Sequence, residues 1–394
     1  MHTLIIPFGH YVTPKAPISA VFQYHLAHAL KRKGFKVGVI SAGFVPFRRL
    51  FFPYPYPPFE DDDGVNTYRY YKRILVPGRI ANKIFLKYLI RMYLKLFKRY
   101  INEHRIPDII HAHNCLYAGV AALKIKEKYG IPYLITEHSS AFARGIISNW
   151  QTVLIREVLK NADVKTVVST KLGSLLEKLF GADACPNYPI FNLLDDSFEN
   201  EENILKSVKN NKGIFTFLNI AGLDPKKNHS GLLDAFACKF KGNSKVQLKI
   251  GGDGPLRKQL EKMAKELDIE EQIIFTGLLS RERVLWEMRT CDVFVLPSIV
   301  ETFGVVLIEA LACGKPVIAT QCGGPEDIVN QINGLIIPIK DINALAEAMS
   351  NIYFNIDKYD ANLIRNDCLA RFGEDSFMTR LRNIYISILK KGKR

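Results

Sequence analysis

Short β-branched runs bounded by turn residues alternate with stretches of helical period through most of the 394-residue chain. This is the pattern of parallel strands joined by crossover helices. In the first half, strands are expected near Leu4–Pro7, Lys36–Ser41, Asp108–His111, Tyr133–Thr136 and Lys165–Ser169. A second series is expected near Ile214–Ile220, Val246–Gly251, Gln272–Thr276, Asp292–Leu296, Pro316–Thr320 and Leu335–Pro338. Between the series, Asp195 to Gly213 is polar and charged and reads as a linker. The last helix, from about Asp375, puts Phe377, Leu381, Ile384 and Ile388 on one stripe. An amphipathic helix that follows a complete sheet must cover something, and it is expected to fold back on the first domain. The expected domains are therefore residues 1–196 with the helix 375–394, and residues 213–374.

Two segments depart from this alternation. Phe44 to Gly64 is rich in Pro and aromatics and is expected to be irregular, a length of loop that is usually functional or mobile. Lys72 to Arg105 reads as one long helix with ten Lys/Arg and one Glu, and with more apolar residues than one core-facing stripe needs. It is either a core helix with a solvated basic face or a helix lying on an anionic membrane surface.

Charge sharpens that reading. Residues 1–195 carry 27 Lys/Arg against 13 Asp/Glu, and the remainder 27 against 26. A basic first half suits a large negative partner: a membrane surface, an anionic lipid carrier or nucleic acid. The seven cysteines are scattered, odd in number and free of CxxC spacing, which points to reduced thiols in a cytoplasm and to neither a disulfide framework nor a zinc site. No basic n-region opens the chain and no run reaches the roughly 18 apolar residues of a spanning helix. The expectation is a cytoplasmic protein, peripheral at the inner face of the membrane.

The strongest chemical signal runs from Pro297 to Ala310, Pro-Ser-Ile-Val-Glu-Thr-Phe-Gly-Val-Val-Leu-Ile-Glu-Ala. It follows a buried strand and opens a helix, the edge where α/β sheets bind ligands. Gly304 lets backbone approach a ligand, and free amides at a helix start favour phosphate. Glu301 and Glu309 border the same crevice as sugar-hydroxyl acceptors, or else are surface glutamates on a capped helix.

The Glu301-x7-Glu309 pair, continued by Gly314-Lys-Pro-Val-Ile-Ala-Thr and Gly323-Gly-Pro-Glu-Asp-Ile-Val, resembles the signature of glycosyltransferase family 4. The resemblance covers nearly the whole chain. It implies an α/β fold of two Rossmann-like domains facing a central cleft, the glycosyltransferase-B type. It also implies a retaining transfer of a hexose from a UDP- or GDP-linked sugar to a saccharide or lipid-linked saccharide, in polysaccharide or glycolipid biosynthesis. In such enzymes the first Glu contacts the transferred sugar and the second the nucleotide ribose, which assigns those roles to Glu301 and Glu309, with Phe303 and Gly304 between them. Lys227 matches the lysine of the family's diphosphate clamp, whereas Gly222 stands where its arginine belongs. The glycine turn Gly251-Gly252-Asp-Gly254 and Gly277 are placed at the donor, Gly277 beside the base.

In the first half, His111-Ala-His113 closes a strand, and alternation sends both imidazoles to one side. The resemblance makes His113 the contact to the donor sugar; a core pair or a metal pair are the other readings. Thr136-Glu137-His138-Ser-Ser, with Arg144 beyond, resembles a subgroup from polysaccharide gene clusters and is either an acceptor contact or a structural network. The loop from Gly9 departs from the family's Gly-Gly pattern, and Gly9 joins His138 and Arg144 as a candidate acceptor or cleft contact. Asp61-Asp-Asp63 invites a metal reading but reads better as a solvated acidic run. No metal or other cofactor is required, since Lys227 and helix amides can carry the leaving diphosphate's charge. A nucleotide-sugar 2-epimerase of the same fold, or a nucleic-acid-binding module, are the rival functions. The second predicts steep salt-dependent binding, and no aromatic-basic recognition motif supports it.

Overall fold

The structure, a computed structural model, describes residues 1–11, 20–46, 58–74, 83–182, 188–200, 205 and 213–391. The chain divides into two compact units, Met1–Leu193 with Phe377–Arg394, and Leu194–Ser376.

The first unit holds strands β1 (His2–Ile6), β2 (Lys36–Pro46), β3 (Phe59–Asp62), β4 (Val65–Ile74), β5 (Ile109–His113), β6 (Tyr133–Glu137), β7 (Val164–Val167) and β8 (Tyr188–Pro189). Helices α1 (Val21–Arg32), α2 (Lys83–Glu103), α3 (Val120–Tyr129), α4 (Asn149–Asn161) and α5 (Thr170–Phe180) connect them. The sheet order is β3-β4-β2-β1-β5-β6-β7-β8, parallel except for β3. β1, β5 and β6 are buried at every position, as strands covered on both faces must be.

The second unit begins with the short helix α6 (Asp196–Glu199). Its strands are β9 (Phe215–Ile220), β10 (Val246–Gly251), β11 (Ile273–Gly277), β12 (Val293–Leu296), β13 (Val317–Thr320) and β14 (Gly334–Ile337). Its helices are α7 (His229–Phe240), α8 (Arg257–Glu266), α9 (Arg281–Thr290), α10 (Val305–Ala312), α11 (Ile342–Phe354) and α12 (Ala361–Phe372). All six strands are parallel in the order β11-β10-β9-β12-β13-β14, the doubly wound dinucleotide-binding order, which reverses between β9 and β12. The last helix, α13 (Glu374–Lys391), starts in this unit and runs into the first. There Phe377, Leu381, Ile384, Tyr385 and Ile388 join the core of β1, β2 and α1.

Three expectations are corrected. The Phe44–Gly64 stretch is not irregular throughout: β2 continues to Pro46, and Phe59–Asp62 pairs antiparallel with β4. Asp63-Gly64 makes the hairpin with left-handed φ values of 48° and 79°, and Asp61 Oδ1 accepts from Gly64 N at 2.7 Å. Residues 47–57 lie outside the described residues. The acidic triplet is part of this hairpin, where Asp62 Oδ2 stands 3.5 Å from His28 Nε2.

The long basic helix is shorter than expected. Lys72 and Arg73 belong to β4, and α2 starts at Lys83. Its surplus of apolar residues is explained by burial on more than one side: it packs on β2, β4 and α3, with Leu86, Leu89, Ile90, Met92, Tyr93, Leu96, Phe97 and Tyr100 all buried. Only Ile84 among its large apolar side chains is exposed, at 75%.

The expected linker also begins as structure. Asp195 caps α6 by accepting from Ser197 N at 2.9 Å, and Arg365 holds the carbonyls of Phe198 (3.0 Å) and Glu199 (2.6 Å). Most of the remainder, 201–204 and 206–212, is outside the described residues.

Candidate active site

In the second unit the candidate residues gather at the carboxyl ends of β9 to β12, beside the reversal in strand order. After β9 the chain turns at Ala221-Gly222 into Asp224, whose side chain caps the Pro225–Lys227 turn at Lys226 N (3.1 Å). That turn delivers Lys227, whose ammonium contacts Glu301 Oε1. Ser298 Oγ donates to the same oxygen at 3.0 Å, and Ile299 N donates to the Lys226 carbonyl at 2.7 Å. Glu301 also bridges to Gly323, and Gly324 N donates to its carbonyl at 3.1 Å.

Gly304 then takes φ +100° to open α10, a conformation reserved for glycine. The ring of Phe303 is buried and meets Phe372 edge-on at 5.8 Å, so only its backbone faces toward the site's chemistry. Gly252 sits where a Cβ would come within 2.0 Å of the Ala221 carbonyl, and its amide donates to Gly277 O at 2.7 Å. The chain after β9 and the ends of β10 and β11 are thereby drawn together through backbone. Gly222 differs: the only atom within 4 Å of a Cβ built there is Asp224 Oδ2, at 3.7 Å. Packing therefore does not demand the glycine that replaces the clamp arginine.

Glu309 lies one turn and a half into α10 and is buried. Its charge is met by a residue that the sequence reading missed. Arg281, at the start of α9, donates through Nη2 to Glu309 Oε1 at 2.8 Å and to Asp195 Oδ2 at 2.5 Å, with Nε on the same Asp195 oxygen at 3.1 Å. Burial works against the charged guanidinium, but the Glu309 and Asp195 carboxylates more than offset it and lift its pKa above the ordinary value. Nothing in sequence spacing ties 281 to 309 or 195. His229 is a second miss. It is fully buried beside Lys227, and burial followed by the Lys227 charge pushes it down to about 4.

In the first unit, β5 carries His111 and His113 stacked with ring centroids 4.2 Å apart, as alternation requires. Hydrogen-bond direction fixes the first. Thr166 Oγ1 donates to the Ile135 carbonyl at 2.9 Å, so it accepts from Thr136 Oγ1 at 2.8 Å. Thr136 Oγ1 must then accept from His111 Nε2 at 2.7 Å, which leaves His111 Nδ1 to accept from Tyr385 at 2.8 Å. His111 is a neutral structural ring, pushed down to about 3 by burial and by the nearby His138.

His113 Nδ1 lies 2.9 Å from His138 Nε2, while its own Nε2 is buried with no partner among the described residues. Burial, then the neighbouring imidazoles, holds His113 well below its usual range, and burial brings His138 to about 4. Phe22 of α1 stacks on His138 at 6.1 Å and 12°. The backbone around the pair is unusual. Asn114 takes φ +87°, and Cys115–Gly119 forms a π-helical turn, features that cluster at functional sites.

Glu137, fully buried, secures this corner. It accepts from Cys115 N (2.7 Å), His138 N (2.9 Å) and Ser139 N (2.7 Å), and burial pushes its carboxyl up against those bonds. Arg144 is exposed in the turn after β6. Gly9, also exposed, takes φ +73° and accepts from Ser41 Oγ at 3.1 Å. Cys115, Cys238, Cys291, Cys313, Cys322 and Cys368 are free thiols.

Two family models match the chain. Residues 19–198 match the one described as Glycosyltransferase Family 4, and residues 200–367 the one described as Glycosyl transferases group 1. An uncharacterized glycosyltransferase of Methanocaldococcus jannaschii is 24% identical, covering 91% of this chain and 92% of its own. Among solved structures, sucrose-phosphate synthase from Thermosynechococcus elongatus is similar with TM-score 0.77 and 20% identity, covering 99% of each chain. HepE of Anabaena, solved in complex with UDP, is similar with TM-score 0.75 and 18% identity over 98% of this chain and 99% of that one.

Proposed function

This chain is a glycosyltransferase of family 4 with the glycosyltransferase-B fold, and from that premise we propose that it moves a hexose from a UDP- or GDP-linked sugar to a saccharide or lipid-linked saccharide with retention at the anomeric carbon. The observation that carries the donor reading is the junction of Lys227, Glu301 and the glycine-opened start of α10 at one sheet edge. A cation, a run of helix-start amides and bare glycine backbone together suit a diphosphate.

In this reading Lys227 and the α10 amides hold the diphosphate, with Glu301 on the transferred sugar and Glu309 on the ribose. His113 Nε2 takes a hydroxyl of that sugar as the partner it lacks among the described residues. No side chain here is placed as a nucleophile. The new bond from the acceptor oxygen to the anomeric carbon forms on the face where the bond to the diphosphate breaks. The acceptor's hydroxyl proton passes to the departing phosphate oxygen. The protein contributes positioning and charge stabilisation. The basic face of α2 holds the enzyme at anionic lipid, near a lipid-linked acceptor and glycolipid or polysaccharide synthesis.

The test incubates the protein with UDP- and GDP-hexoses, with and without saccharide acceptors, and reads the product's anomeric configuration by NMR. Product formed only when an acceptor is present, with the donor's configuration, supports the reading. An inverted linkage, or epimerised donor in the absence of acceptor, rules it out.

A further inference from the structure

The α10 sequence Val-Val-Leu-Ile-Glu-Ala-Leu-Ala surrounds Glu309 with apolar residues, and its carboxylate is only 3% exposed. A buried carboxylate left to itself is costly and orientationally loose. Recognition of a pair of ribose hydroxyls requires the opposite, a carboxylate held to within a few tenths of an ångström. Within α10 itself no charged or hydroxyl residue accompanies Glu309 to do this.

Arg281 can. Its Nη2 reaches Glu309 Oε1 at 2.8 Å, and its own position is set from behind by Asp195, which receives both Nε and Nη2. Asp195 is pinned in turn by Ser197 N (2.9 Å) and Ser197 Oγ (2.8 Å), and the guanidinium lies over the Phe198 ring at 5.3 Å. The planar fork therefore has one fixed side and one working side. It also opens α9 four residues after Gly277, which ends β11, so its anchoring would link the base side of the donor to the ribose side.

We propose that Arg281 is the positioning residue for ribose recognition: anchored by Asp195, it fixes the Glu309 carboxylate and neutralises it beside the donor's diphosphate. This rests on the assignment of Glu309 to the ribose. A lysine could supply the charge but not the two-sided fork, and glutamine could supply neither.

The experiment measures affinity for UDP or GDP, whichever binds the parent more tightly, and for its 2′-deoxy counterpart. The ratio of the two is taken on the same sample, so it is insensitive to the fraction of protein folded. The parent should prefer the ribo form by about tenfold or more, as expected for charge-assisted bonds. Arg281→Gln should cut that preference at least about threefold and Arg281→Lys by less. With the nucleotide sugar, both should raise KM while leaving kcat, as lost binding remote from the reacting atoms does. Asp195→Asn should cut the preference too, but by less than Arg281→Gln, because the anchor is loosened while Arg281 still reaches Glu309. Should Glu309→Ala keep the parent's full preference, the ribose is held elsewhere and both readings fall. If Glu309→Ala loses it while Arg281→Lys and Arg281→Gln keep it, the ribose assignment stands and the role given to Arg281 is wrong. The parent's full preference in Asp195→Asn would overturn the anchoring given to Asp195.

Discussion

The Lys227 ammonium rests on the Glu301 carboxylate, the same oxygen that receives Ser298 Oγ at 3.0 Å. Their side chains are 17% and 14% exposed, so the contact is neither a screened surface pair nor a closed one. A lysine proposed for the diphosphate and a glutamate proposed for the sugar thus neutralise each other. On the proposed roles, a bound diphosphate should compete with Glu301 for the cation and leave Glu301 to the sugar hydroxyls.

Lys227→Ala should weaken binding of both the nucleotide sugar and the bare nucleoside diphosphate by roughly 1.5–3 kcal/mol, the worth of a bond to a charged group. Gly222 supplies no second cation, which favours the upper end. Glu301→Gln should do the reverse for the bare diphosphate, tightening it severalfold, while transfer falls because the sugar loses its acceptor. Titration calorimetry of the three proteins with the diphosphate decides this. Unchanged affinity in Lys227→Ala would make it an ordinary structural lysine.

His113→Ala should lower the rate of transfer by far more than it lowers nucleotide affinity, because its unpartnered Nε2 is assigned to the sugar and not to the nucleotide. His138→Ala should lower transfer by less, since His138 acts on the sugar only through the 2.9 Å bond that orients His113. Comparing turnover and nucleotide affinity in both variants checks this. Equal loss of nucleotide binding and turnover in His113→Ala would refute the sugar contact.

On α2, Lys87, Arg91, Lys95 and Lys98 are exposed, while of the apolar side chains between them Leu89, Ile90, Met92, Tyr93, Leu96 and Phe97 are buried and Tyr88 and Leu94 half-buried. No helix among the described residues is long and apolar enough to cross a membrane. With its cations outward and most of its apolar side chains turned inward, this face should be drawn to lipid chiefly by charge. Binding to phosphatidylglycerol vesicles should fall steeply as salt rises, since screening acts within about 8–10 Å near physiological ionic strength. Replacing the four by Gln should abolish most of it without changing turnover on a soluble acceptor. Vesicle sedimentation across a salt series checks both, and parent-like binding by the variant would contradict the role of this face.

The sequence made much of the two sheets legible because β1, β5, β6, β12 and β13 are buried at every position and announce themselves as runs such as Val293-Phe-Val-Leu. It missed β3 and β4 because the Pro-aromatic stretch before them masks an Asp-Gly hairpin whose strand Phe-Glu-Asp-Asp is half exposed. Glu301, Gly304 and Glu309 stood out because they lie within one short segment of strand end and helix start. Arg281 and Asp195 did not, because Arg281 meets Asp195 across 86 positions and Glu309 across 28, which depends on how α6, α9 and α10 pack. His138 was visible only as a motif. Its backbone amide is held by Glu137, which local pattern gives no reason to expect inside a core.

Finally, the locked tautomer of His111 predicts a specific loss of stability in mild acid. The native ring stays neutral until about pH 3, because burial, and after it the nearby His138, works against its charged form. In the unfolded chain the same ring titrates near pH 6.5. A folded pKa below the unfolded one means that the unfolded state binds the extra proton first. The stability tied to His111 is therefore fully present above about pH 6.5 and is lost as pH falls toward 3. At 1.36 kcal/mol per unit, the loss reaches about 2 kcal/mol by pH 5. Other groups titrate in this window too, so the informative quantity is the difference between the parent and His111→Gln, which has no ring to protonate. His111→Gln should be less stable than the parent at pH 7.5, and that gap should narrow by about 2 kcal/mol at pH 5. Unfolding by urea at both pH values, followed for each protein, supplies the measurement. A gap of constant size would mean that the His111 ring accepts a proton in the folded protein as readily as in the unfolded one, contrary to the directed chain from Tyr385 to Ile135.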